Sequence, residues 1–276
     1  MSFQKNFHTD DTIVFDVSLH SFKAGIAGEI APRCILNYQK HIYNVASLED
    51  NIGCYEIMQN NAKIPSREDY REDCYMCDSL RYIPSSIAAM ISYGCSSGLV
   101  IDCGHNDCTV TPIFEGRQLC NLVEIIPIGG KDTDFDNNYI EALKTKFSLV
   151  KLENSIDVNE TMISFDYKDN TFQVPSRIFS DIYRSIFVEG WEDMNISKLI
   201  CPCDTRKTLM ENILLSGGTC SASGFSSALE QTLREALRTQ NMDHLLNFIK
   251  IKDTNFSLVG NSWLGGSILC KMKAIK

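Results

Sequence analysis

Two segments of the chain follow one pattern. Thr12–Gly28 reads TIVFDVSLHSFKAGIAG, and Gly98–Gly116 reads GLVIDCGHNDCTVTPIFEG. Each starts as a β-branched apolar run that closes on an aspartate, Asp16 in the first and Asp102 in the second. A polar turn and a second strand-like run follow. An internal repeat of this kind predicts a duplicated architecture with two facing halves. The second turn, Gly104-His105-Asn106-Asp107, suits a tight hairpin, because Gly and Asn tolerate positive φ. The first turn, Val17-Ser18-Leu19-His20, has no glycine at all. An aspartate closing a strand often does no more than cap a turn, so the repeat alone assigns no chemistry.

Between the repeats, PSSIAAMISYG predicts a helix that opens on Pro84 and stops at Gly94. Its Ile87, Ala88, Met90 and Ile91 predict a largely buried element. A third strong unit is ENILLSGGTCSASGFSSALEQTLREALR. It predicts a buried strand at Ile213–Leu215, a glycine-rich loop, and a helix whose Phe225, Ala228, Leu229, Leu233, Ala236 and Leu237 form one apolar stripe. A loop such as Gly217-Gly218-Thr219, between strand and helix, can bring backbone N–H groups close to an anion. The last apolar element is SWLGGSIL, Ser262–Leu269. The intervening stretches 37–79 and 131–195 are polar, with short strand-like pieces such as MISFDY and TFQVP in the second.

The net charge of −9 argues against a nucleic-acid footprint, which needs clustered Lys and Arg. No apolar run is long enough to span a bilayer, and MSFQKNFHTDDT lacks the apolar core of a signal peptide. These features predict a soluble intracellular protein. Twelve cysteines in such a setting are expected to be reduced and to act as small hydrophobes. Cys74/Cys77 and Cys201/Cys203 invite a zinc reading, but the one-residue gap of the second pair and the distance between pairs argue against it.

In this order the elements resemble the actin family. Asp16–Arg33, with KAGIAGEIAPR its closest part, is similar to the family's first phosphate hairpin, and Gly98–Gly116 to its second. SGGT at Ser216–Thr219 is similar to the adenosine-side loop, and SWLGGSIL to a late strand–helix junction. Four ordered motifs are more specific than one glycine loop. The resemblance implies an α/β actin-like fold: duplicated ribonuclease-H-like halves around a nucleotide cleft, with reduced upper subdomains and a short C-terminus. It implies a first half of residues 1–92 plus 259–276, with 37–78 its upper subdomain. The second half is then 93–258, with 129–193 its upper subdomain. IPIGGK and CPCDTRKTLMENILLSGGT are most similar to the divergent branch at the pointed end of the short filament in dynactin.

The resemblance also implies a ligand, ATP or ADP with Mg²⁺, structural in role. Asp16 and Asp102 match the positions that hold the metal, through water. Ser18, Leu19 and Lys23 match the first phosphate turn; Gly104, His105 and Asn106 match the second; Gly130, Gly217, Gly218 and Thr219 match the nucleoside side. Side chains in the Ser18-Leu19-His20 turn impede approach of backbone to phosphate. Ser85 and Thr109 stand where the family has the glutamine and histidine that handle the attacking water, and both are poor bases. Binding without meaningful turnover is the expectation, and no catalytic residue is assigned.

The implied role is a non-catalytic subunit that terminates a head-to-tail filament in the cytoplasmic cytoskeleton. Its expected partners are actin-related filament subunits and the other pointed-end subunits of dynactin, with dynein reached indirectly. No nucleic acid and no membrane insertion are expected. A nuclear actin-related subunit of a chromatin-remodelling complex is the alternative, although the chain lacks a basic localisation run. A third class, a true ATPase of the wider sugar-kinase and heat-shock fold, is disfavoured by Ser85 and Thr109.

Overall fold

The computed structural model describes residues 12–18, 21–37, 81–105, 107–126, 162–167, 170–175, 187 and 203–272. The first repeat forms an antiparallel sheet, β1 (Ile13–Val17), β2 (Ser21–Ile26) and β3 (Cys34–Asn37), in that order. Asp16 is the penultimate residue of β1, since Val17 continues the strand opposite Phe22. Helix α1 (Ser85–Ser92) opens directly after Pro84, and Gly94 lies just past its end with a φ of +68°. The predicted apolar face is narrower than expected: Ala88, Ala89 and Met90 are buried, while Ile87 and Ile91 are only half-buried.

The second repeat is the centre of a five-stranded sheet. β4 (Gly98–Cys103) pairs antiparallel with β5 (Cys108–Phe114) and parallel with β10 (Ile213–Ser216). β5 turns at Glu115-Gly116, both at positive φ, into β6 (Arg117–Gln118). β7 (Glu124–Ile126) returns to β5, while β8 (Met162–Tyr167) and β9 (Asn170–Pro175), the two strand-like pieces read from sequence, make a separate hairpin.

β4 and β10 are buried on both faces. Leu99, Ile101, Ile213 and Leu215 face one side. There helix α3 (Phe225–Thr239) lays down Phe225, Ala228, Leu229, Leu233 and Leu237, while Ala236 is partly exposed. Helix α2 (Cys203–Met210) ends against the same core with Met210. Val100 and Leu214 point to the other side, where they meet Ala89 and Met90 of α1.

SWLGGSIL is not a strand–helix junction. It lies wholly within helix α4 (Asn261–Lys271), entered through a short 3₁₀ turn at Leu258–Gly260. The two glycines permit close approach on the helix surface. A methyl on Gly266 would come within 3.1 Å of Val14 in β1, and one on Gly265 would collide with the backbone of Ala88 in α1. Trp263 completes the layer: its ring lies against Gly25 of β2 and its indole N–H donates to the Val14 carbonyl at 2.9 Å. Helices α1 and α4 are therefore sandwiched between the two sheets.

Candidate functional site

The Asp16 end of β1 and the Asp102 end of β4 come to the same place. Asp16 lies directly across from Lys23 in the β1–β2 register, and its Oδ2 accepts from Lys23 Nζ at 2.7 Å. Lys23 is only 5% exposed. A second donor, the Ser262 hydroxyl at the start of α4, reaches the same oxygen at 3.3 Å. Asp102 sits in register with Ser216 at the end of β10 and is hydrogen-bonded by its side chain. Burial first, and then the charge of Asp16, push the Asp102 carboxyl up to about 6, against the opposing pull of Lys23. Two carboxylates that feel each other in a poorly solvated setting suit a hard divalent cation, which would relieve both terms. The metal side of the site thus fits.

The loop after β10 closes over this pair. Gly217 has a φ of +91°, and a methyl on it would fall 2.3 Å from the Cys103 carbonyl oxygen and 2.7 Å from Asp102 Oδ1. Only glycine lets this backbone pass so close to the β4 carboxylate. The Thr219 hydroxyl donates to the Gly104 carbonyl at 2.8 Å, tying the loop to the second hairpin. Gly218 lies exposed beside Val259 of the 3₁₀ turn. The Gly217 N–H donates to the Leu258 carbonyl at 3.1 Å.

In the first turn Ser18 donates its N–H to the Ser21 carbonyl at 2.9 Å, and its hydroxyl accepts from the Ser21 N–H at 3.1 Å. Both Ser18 groups bond within the turn. In the second turn the Gly104 N–H is likewise used, donating to the Asp107 carbonyl at 2.9 Å. His105 is half-buried. Leu19, Asn106 and Gly130 lie outside the described residues, as do the zinc candidates Cys74, Cys77 and Cys201. Among the described residues no group of three or more His, Cys, Asp or Glu is placed to hold a metal. Thr109 lies opposite Asp102 in the β4–β5 register, and Ser85 is exposed at the first turn of α1.

Sequence reading missed one layer beneath the carboxylates. The Leu215 carbonyl accepts from the Tyr93 hydroxyl at 2.7 Å and from Asn261 Nδ2 at 3.2 Å. Burial pushes the Tyr93 phenol up to about 12, against the opposing pull of the Leu215 bond and the Asn261 amide. No motif marks either residue; a polar residue opening an apolar helix, as Asn261 does, was the one available signal.

Residues 165–276 match the family model described as Actin. Actin-like protein 7A of Bos taurus is 26% identical over 243 residues, covering 76% of this chain and 54% of its own length. The Homo sapiens protein of the same name is 25% identical, with the same shares. A Dictyostelium discoideum sequence named as an actin, actin-29, is 22% identical over 69% of this chain and 57% of its own length. The chain spans about half the length of the curated relatives it matches. It is homologous to actin-like proteins and carries an actin-fold domain of mixed α/β content.

Proposed function

We propose that this chain is a non-catalytic actin-related structural subunit, the counterpart of actin-related protein 10 (also numbered 11), at the pointed end of the dynactin filament. The observation that carries the nucleotide part of this reading is the convergence of Asp16, Asp102 and the Gly217–Thr219 loop at one end of two sheets. In this reading Asp16 and Asp102 would hold Mg²⁺, through water. Lys23 would supply the positive charge for a phosphate, and Gly217, Gly218 and Thr219 would border the nucleoside. The Mg²⁺ would supply charge neutralisation between carboxylates and phosphates.

The proposed ligand is ATP or ADP serving as a structural wedge. Ser18 and Gly104 spend their N–H groups within their own turns, which leaves fewer backbone donors for phosphate. Thr109 and Ser85 offer no general base, which favours retention over turnover. The proposed halves are 1–92 with 259–276, and 93–258. Their upper subdomains, 37–78 and 129–193, are proposed to be too reduced to receive a further subunit. A filament of head-to-tail contacts ends when one of its two complementary patches is lost. The proposed partners are the actin-related filament subunits and the other pointed-end subunits, and through them dynein, in the cytoplasm. Affinity purification of tagged protein from cells tests the assignment. Co-purifying dynactin subunits in fixed ratio are expected; a chromatin-remodelling complex in their place, or neither, overturns it.

A further inference from the structure

We propose that Tyr93 and Asn261 are positioning residues that tie the α1/α4 helix pair to the end of β10 and thereby fix the spacing between Asp16 and Asp102. Tyr93 follows directly on α1, and Asn261 is the first residue of α4. The contact of Gly265 with Ala88 locks the same two helices four residues further along α4. Both polar side chains converge on one acceptor, the Leu215 carbonyl, at 2.7 and 3.2 Å.

The next residue along each chain reaches a carboxylate. Ser262, after Asn261, donates to Asp16; Ser216, after Leu215, hydrogen-bonds Asp102. One path from one carboxylate to the other is thus Asp16, Ser262, Asn261, Leu215, Ser216, Asp102, with the Asn261 to Leu215 hydrogen bond joining its two covalent pieces beside the Gly217 N–H bond to the Leu258 carbonyl. Tyr93 doubles that joint from the other helix.

Asn261 is fully buried, yet its Oδ1 has no hydrogen-bond partner. An apolar side chain of similar volume would fill the space without leaving an acceptor unpaired, which is normally the cheaper choice. The amide is explained by its other end, the Nδ2 donor on Leu215.

The tie deepens the nucleotide-cleft reading and rests on it only for what the spacing serves. The test uses the full chain with Tyr93→Phe, Asn261→Leu and the double variant. Spin labels are introduced as non-canonical amino acids at exposed Ile35 on β3 and Gln231 on α3, and their separation is read by pulsed electron spin resonance. The original protein is expected to give one narrow distance distribution, and each folded single variant a broadened one. The double variant should broaden well beyond either single one, because only it removes both bonds to Leu215. Residues that only fill space would shift the melting temperature and leave the distribution narrow. An unchanged distribution in both folded single variants overturns the proposal. Mg–ATP affinity, measured alongside, is expected to weaken about tenfold in either variant, the order of a coupling free energy between a remote contact and a binding site. Absence of binding to the original protein would instead overturn the cleft reading, and the distance measurement would still decide the tie.

Discussion

Gly265 of helix α4 meets Ala88 of helix α1 so closely that a methyl group on Gly265 would lie 1.7 Å from the Ala88 carbonyl oxygen. Backbone, not a flexible side chain, occupies that space. Gly265→Ala must therefore push apart the helix pair that separates the two sheets. A loss of about 3 kcal/mol or more is expected, at the upper end of overpacking effects. Gly116→Ala is the control for helix-independent glycine effects: its surroundings are open, and only its φ of +75° opposes a side chain. It should cost about 1 kcal/mol. Denaturant titration of the two variants distinguishes these magnitudes.

Asp16 and Lys23 form an ion pair at 2.7 Å with side-chain exposures of 13% and 6%. Removing one partner leaves the other charged and poorly solvated. Lys23→Met and Asp16→Asn are each expected to destabilise the protein by roughly 3 kcal/mol. The double variant should lose much less than the sum, because neither charge is then left without its mate. A double-mutant cycle by chemical denaturation reads the coupling; strict additivity would contradict the pairing.

Asp102 carries a pH signature in metal-free buffer. Its folded value of about 6 lies above the ordinary 3.8, so between these values the folded state holds the proton more firmly than the unfolded chain. This group's contribution to stability is therefore most favourable below 3.8 and is lost as pH rises through 6. Ionised Asp102 costs on the order of 1–3 kcal/mol at neutral pH. Asp102→Asn is expected to stabilise the protein by that amount at pH 7.5 in a chelating buffer, and by almost nothing at pH 4. Added Mg²⁺ should reverse the sign at pH 7.5 by favouring the original carboxylate. Melting curves at the two pH values, with and without metal, check all three statements.

The strands and the stripe on α3 were legible because their apolar periods are clean and their ends are marked by turn residues. Both hairpins, the buried β10 and the loop after it follow from that pattern. The nature of SWLGGSIL was not legible: Gly265-Gly266 reads locally as a break, and its real cause is the backbone of Ala88 and the side chain of Val14, brought there by the tertiary fold. The local bonding of the Ser18 hydroxyl could not be read either, since nothing in Val17-Ser18-Leu19-His20 tells whether a serine will serve its own turn or a ligand. The Lys23–Asp16 pair follows from a register that the turn length fixes. The Tyr93–Leu215–Asn261 joint could not be read, because it depends on the crossing of α1 and α4 over β10.

The proposed role requires that the end of the two sheets hold a magnesium nucleotide that the chain keeps and does not consume. Protein purified without added nucleotide, denatured, and analysed by mass spectrometry for released small molecules tests it most directly. Close to one equivalent of ATP or ADP per chain is expected, falling to near zero in folded Asp102→Asn protein, with no steady phosphate release from the original. Nucleotide-free protein that also fails to take up Mg–ATP, or sustained phosphate release at an enzymatic rate, would contradict it.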